Sequence, residues 1–150
     1  MMRWVFVRRA VGEWGGMENW IVKLARGLRG LGDTGVIVAP PDSHWADVCA
    51  REGLDFKAFA FAPEWNPAGT RGLAKLLHQL RPDVAICTDF RVACRVRFSS
   101  RHPAIGVKLP VDRALTNGYW DRFSFRYAVD RLFTDHRAAR RLLLRHPWVQ

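Results

Sequence analysis

The sequence has no apolar run approaching the roughly 20 residues that a membrane-spanning helix needs, so the chain is not expected to cross a bilayer. The most apolar stretch at its start, Trp4 to Val7, lies between arginines and is too brief for the core of a secretory signal. The expected compartment is therefore the cytoplasm. Cysteine is scarce: Cys49, Cys87 and Cys94 are odd in number and form no C-x-x-C pair, which argues against a disulfide framework and against a zinc site. They read as small buried hydrophobes. His44, His78, His102, His136 and His146 show no metal-ligand spacing, and no metal is called for. The dinucleotide fingerprint G-x-G-x-x-G is missing, and the second apolar run ends in Ala39-Pro40 where a ribose-binding acid would stand. A nicotinamide enzyme is disfavoured. Internal repeats and low-complexity segments are also lacking.

What is present suits one folded domain: 150 residues, 49% of them hydrophobic, are enough to bury a single core. The formal charge of +10 is unevenly placed. Residues 1 to 90 hold 11 Lys+Arg and 10 Asp+Glu, residues 91 to 150 hold 13 and 4, so +9 of the excess lies in the last two-fifths. An anionic partner is implied: nucleic acid, an acidic lipid surface or a phosphorylated small molecule, among which net charge does not choose.

Short apolar runs alternate with helical periodicity throughout. Arg3 to Val7 reads as a buried strand, followed by the glycine-bearing stretch Gly12 to Gly16. From Met17, Trp20, Ile21, Leu24, Ala25, Leu28 and Leu31 recur at three- and four-residue steps, an amphipathic helix closed by Gly30 and Gly32. Val36 to Ala39 is a second buried strand. Asp42 or Ser43 is expected to cap a helix that runs to about Glu52 and stops at Gly53, and Phe56 to Phe61 alternates as a third strand near an edge. A helix through Leu73 and Leu80 ends at Arg81-Pro82-Asp83 before the strand Val84 to Cys87. A helix over 91 to 99, a strand over 104 to 109, an aromatic helix over 120 to 129, a strand over 132 to 134 and a last helix over 136 to 144 complete the chain. Strands apolar on both sides pair in parallel, and their alternation with helices predicts a doubly wound parallel α/β sheet.

In such a sheet ligands bind beyond the carboxyl ends of the strands. Gly15 and Gly16 lie there, directly before a helix, where bare amides and the helix dipole can receive a phosphate. Glu18 follows in the first turn, a place the helix dipole favours for a carboxylate whether or not it has a further role.

Several phrases taken together resemble family-4 glycosyltransferases of the GT-B fold: Gly15-Gly16-Met17-Glu18 after the first strand, Leu24 to Leu28 with Gly32, Val36 to Pro41, Arg81-Pro82-Asp83-Val84, Gly106 to Pro110, and Ala128 to Asp135. The approach Leu144 to Trp148 is similar to the family's entry into its second domain. The resemblance implies a Rossmann-like N-terminal domain, residues 1 to 150, that binds the acceptor. A C-terminal domain, on the same or a separate chain, would bind the nucleotide-sugar. This domain would then bind no cofactor, and its family's E-x-x-x-x-x-x-E donor pattern does not occur in it. The Gly15-Gly16 turn, with Glu18, would face the donor's phosphates across the cleft. A histidine that the family often carries after its fourth or fifth strand is not matched, since those places read Cys87-Thr88-Asp89 and Lys108-Leu109-Pro110. Asp89, the carboxylate at the fourth strand's end, becomes the candidate to orient or deprotonate an acceptor hydroxyl, with helix capping as its other reading. Lys108 and Arg113 become candidates to pair with an acceptor phosphate or carboxylate, with Asp112 as partner of either; solvated surface charge is the plainer reading.

Arg137, Arg140, Arg141 and Arg145 form a basic stripe on the last helix, and Trp120, Phe123, Phe125 and Tyr127 lie just upstream. Such a surface suits peripheral contact with an anionic membrane, at whose inner face a lipid-linked acceptor of envelope glycan synthesis would lie. A solvated helix face beside a buried aromatic cluster is the alternative. Two further readings stay open: a basic nucleic-acid-binding module, against which no recognition helix or RNA-binding motif is evident, and a non-catalytic split half that needs a partner chain.

Overall fold

Strands that are apolar on both sides need cover on both faces, and a computed structural model of the chain shows how they receive it. The structure describes residues 1–9, 14–61, 66–100, 103–109, 119–134, 137, 140–141 and 144–145. In chain order the elements are β1 (Arg3–Val7), α1 (Gly16–Gly30), β2 (Thr34–Ala39), α2 (Trp45–Glu52), β3 (Asp55–Ala58), α3 (Pro67–Leu80), β4 (Val84–Cys87), α4 (Phe90–Ser99), β5 (Ala104–Lys108), α5 (Tyr119–Ala128) and β6 (Arg131–Phe133). The strands form one sheet in the order β3-β2-β1-β4-β5-β6. Every pairing in it is parallel. This is the doubly wound, Rossmann-like α/β architecture that the alternating elements imply, with β3 at an edge.

The two-residue side-chain period of each strand divides the core into two layers. Val5, Val7, Cys87 and Val107 face one side, where Leu73 and Leu77 of α3 and Phe90 and Val96 of α4 cover them. Phe6, Ile37, Ala39 and Ile86 face the other, under Ile21, Ala25 and Leu28 of α1 and Trp45 and Val48 of α2. Cys49, Cys87 and Cys94 are free thiols, all buried in these layers. On the β5–β6 side one carboxylate ties α4 to the sheet: Asp130 Oδ2 accepts from the Ile105 N–H at 2.7 Å and from Arg97 Nη2 at 2.5 Å.

Local chemistry accounts for the boundaries. Asn66 caps α3, its side chain accepting from Ala68 N with Pro67 in the first turn, and Gly53 ends α2 at φ 64°. Arg81 ends α3 in the same left-handed region, φ 45°, where a side chain is strained by roughly 1–2 kcal/mol. Neither Asp42 nor Ser43 caps α2. The helix starts at Trp45, so the N-cap is His44, which supplies no side-chain bond, and Ser43, one residue earlier, donates its hydroxyl to the Pro40 carbonyl. The third strand starts one residue early and stops at Ala58, since Phe59 and Phe61 turn to meet edge-on, with ring centroids 5.0 Å apart. In the last predicted helix, Arg137, Arg140 and Arg141 are helical; its remaining positions, 144 apart, lie outside the described residues.

Candidate functional site

The strand order reverses between β1 and β4, which places the crevice of the sheet at their carboxyl ends. Two turns border it: the one entering α1 and the one at Thr88-Asp89 entering α4. The α1 turn is built around a glycine cap. Gly15 is extended, with φ −142° and ψ −163°, and no side chain caps the helix. The first intrahelical donor is Asn19, to the Gly15 carbonyl at 3.1 Å, so the amides of Gly16, Met17 and Glu18 have no acceptor within the helix. Trp14 steadies the turn, its indole donating to Asn19 Oδ1 at 2.8 Å and its ring lying 5.0 Å from that of Trp45.

Glu18 is buried at 7% exposure, and both its oxygens are occupied. Oε2 accepts from the Gly15 N–H at 3.1 Å, the acidic half of a capping box whose other half glycine has no side chain to supply. Oε1 receives Arg8, from Nε at 2.8 Å and Nη2 at 2.7 Å. Arg8 also donates from Nη1 to Thr88 Oγ1 at 3.4 Å. A single arginine thus bridges β1, α1 and the β4 turn across the switch point. Glu18 is accordingly a carboxylate that holds the turn and a cation together.

Lys108 belongs to the same row. Val7 is in register with Cys87, and Cys87 with Val107, so the next positions, Arg8, Thr88 and Lys108, fall on neighbouring strands and share the face under α1. At 1% exposure, Lys108 is not the solvated surface charge of the plainer reading. Its Nζ donates to the Leu109 carbonyl at 3.4 Å and stands 5.5 Å from the centroid of the Trp20 ring, a cation–π arrangement.

Asp89 is the N-cap of α4: Oδ1 accepts from Val92 N at 2.8 Å. It sits beside Cys87, whose thiol is pushed well above its ordinary value by complete burial first, then by the charges of Asp89 and Cys94. Asp112 and Arg113 lie outside the described residues. Arg137, Arg140, Arg141 and Arg145 are all exposed. They are on the chain segment that follows β6 and are not brought to the α1 turn by any described contact. Tyr119, Phe123 and Tyr127 of α5 form a row, with centroids 6.2 and 5.0 Å apart, and Tyr119 and Tyr127 are 73% and 59% exposed. Phe125 instead packs against the core. Among the described residues no group of three His, Cys, Asp or Glu is arranged to hold a metal. No helix described is long and apolar enough to cross a membrane.

Arg8 and Thr88 are the members of this site that sequence reasoning passes over. The signal was available: Arg8 directly follows the apolar run of β1 and, two residues after Phe6, shares its face, and like Lys108 it is a cation at a strand's carboxyl end.

Similar architecture occurs in solved proteins. HepE from Anabaena, solved with UDP and glucose, superposes with a TM-score of 0.69 at 11% identity over 97% of this chain and 41% of its own. The lipopolysaccharide outer core galactosyltransferase WaaB gives 0.64 at 15% identity, over 87% of this chain and 38% of its own. A Listeria monocytogenes protein assigned as a UDP-N-acetylglucosamine 2-epimerase gives 0.63 at 14%, over 96% and 42%. The chain thus has the fold of one half of a GT-B protein and spans about two-fifths of the length of these structures. No family's sequence model matches it, and no curated protein matches it in sequence.

Proposed function

We propose that this chain is the acceptor-side lobe of a glycosyltransferase of the family-4 type, which moves a sugar from a nucleotide-sugar to a glycan or lipid-linked acceptor of the cell envelope. A second lobe that binds the nucleotide-sugar completes the cleft, and this lobe is inactive without it. The observation that carries the reading is the uncapped Gly15–Gly16 turn at the switch point of a GT-B half. Its amides, backed by the dipole of α1, stabilise charge on the departing diphosphate. Asp89, with Oδ1 engaged in capping, offers its other oxygen to orient an acceptor hydroxyl. Asp112 and Arg113 belong to the acceptor side, and Lys108, closed under Trp20, supplies positive charge behind it rather than a direct contact. The exposed arginines 137, 140, 141 and 145, with the aromatic row of α5, rest on an anionic membrane at its cytoplasmic face, where a lipid-linked acceptor is presented.

The test is turnover. The chain is assayed alone and together with a nucleotide-sugar-binding lobe, on the same or a separate polypeptide, for release of nucleoside diphosphate in the presence of glycolipid acceptors. Gly16→Ala is the informative variant, because a Cβ at Gly16 meets nothing within 4 Å among the described residues. Activity that appears only with both lobes and falls about 10- to 100-fold in Gly16→Ala supports the reading, a loss of the size expected when an electrostatic contact to the leaving group is obstructed. Full activity in Gly16→Ala overturns it.

A further inference from the structure

An ion pair withdrawn from water gains little over apolar packing of the same volume, yet the crevice at the switch point keeps one. The Arg8 and Glu18 side chains are only 20% and 9% exposed. Their match is also incomplete. Arg8 offers the two-pronged edge formed by Nε and Nη2, but both prongs converge on one oxygen, Oε1, because Oε2 is held by the Gly15 amide. A phosphate presents two oxygens to that edge, the geometry a guanidinium binds best. The remaining contact of Arg8, to Thr88 Oγ1 at 3.4 Å, is long and yields readily.

We propose that Arg8 is a phosphate-binding residue of this rim and that Glu18 is its resting partner, releasing the guanidinium when a phosphate or diphosphate seats on the Gly15–Gly16 turn. The inference rests on the reading of that turn as the receiver of the donor's diphosphate, and adds to it the cation and its competitor. Glu18 stays in place after the exchange, since its bond to the Gly15 amide keeps the start of α1 intact. Arg8 has a short distance to travel, because β1 delivers it to the carboxyl edge of the sheet, beside the uncapped amides of α1. With the site empty, Glu18 neutralises Arg8 and prevents a bare buried cation; with the site filled, phosphate takes over that role. Glu18 is thus a positioning residue, and Arg8 is the side chain that touches the ligand.

The experiment uses the 150-residue chain and inorganic pyrophosphate, titrated while the amide resonances of Gly15 and Gly16 and the Nε–H resonance of Arg8 are followed by NMR. In the unmodified chain the Arg8 signal should move with the same midpoint as Gly16. Arg8→Gln should weaken binding about tenfold or more, the loss expected for a charge-assisted bidentate contact. Glu18→Gln keeps an acceptor for the Gly15 amide but frees Arg8, so binding should tighten about fivefold. A merely structural Glu18 predicts the reverse, a loosened turn and weaker binding. An Arg8 resonance that stays still while Gly16 shifts overturns the proposal without recourse to any variant, and so does Glu18→Gln binding that is unchanged or weaker. If Gly15 and Gly16 themselves show no saturable shift, the diphosphate reading of the turn falls as well, whereas saturable binding indifferent to Arg8 sinks this inference alone.

Discussion

Truncating Glu18 to alanine removes the carboxylate that, among the described residues, pairs with Arg8, and the acceptor of the Gly15 amide, in a single step. Breaking one side of a buried ion pair costs about 3–5 kcal/mol because the other charge is stranded. Arg8 is one-fifth exposed and recovers some water, which lowers that figure; the lost bond to Gly15 adds about 1 kcal/mol. The net expectation for Glu18→Ala is a loss of about 3 kcal/mol, equivalent in a chain of this size to a fall in Tm of about 6–12 °C. Glu18→Gln retains the amide acceptor and should lose only about 1–2 kcal/mol. Urea denaturation followed by circular dichroism measures both, and a double-mutant cycle with Arg8→Met isolates the pair. Replacement of both partners should restore part of the loss, giving a coupling of about 1.5 kcal/mol or more. A coupling below about 0.5 kcal/mol, the limit of ordinary additivity, would refute the claim that these two side chains form a shielded pair.

The remaining expectations concern the frame around the site. A Cβ at Gly106 would lie 2.5 Å from Phe133 Cε2 and 2.9 Å from Ile86 Cδ1. Gly106→Ala should therefore lose about 1–3 kcal/mol by overpacking, and Phe133→Ala in the same chain should recover part of it in the same denaturation assay. Asp33 has its pKa lowered, chiefly by the Met2 N–H and then by the Trp4 indole, so it contributes stability above the ordinary carboxylate range that is lost as pH falls through its folded pKa. The Tm gap between the parent and Asp33→Asn should accordingly be present at pH 7 and shrink below about pH 4. Burial pushes the Cys49 thiol up to about 11, with Asp55 adding to it, and raises Cys87 and Cys94 as well. At pH 8 a disulfide exchange reagent should label none of the three in the native chain and all three in denaturant; rapid native labelling would mean that the core layers are open.

Much of this was legible along the chain. The strands at Arg3 to Val7, Val36 to Ala39 and Val84 to Cys87 announced themselves as apolar runs, and the three- and four-residue spacing of one helix face is no harder to read in Ile21, Ala25 and Leu28. Such patterns are local: a period of 2 or 3.6 is a property of neighbouring residues, and so is a stop at Gly53 or Pro82. Parallel pairing and a doubly wound sheet follow from them, as does the rim on which a ligand should sit. The cap of α2 falls elsewhere because the helix starts at Trp45, which leaves Ser43 one residue ahead of the N-cap, where its hydroxyl donates to the Pro40 carbonyl; the first residue of a helix is what residue preference ranks least well.

Composition and periodicity thus determined that this protein is a parallel α/β layer with a glycine turn at its carboxyl edge and a basic second half. Only the tertiary structure decided which side chains meet there. Arg8 and Thr88 are 80 residues apart, and Glu18 and Lys108 enter from a helix and a different strand, so their meeting depends on strand order and register. Register also decided burial, turning Lys108 from a rim charge into a cation closed under Trp20, because a shift of one residue would have sent it to the opposite face.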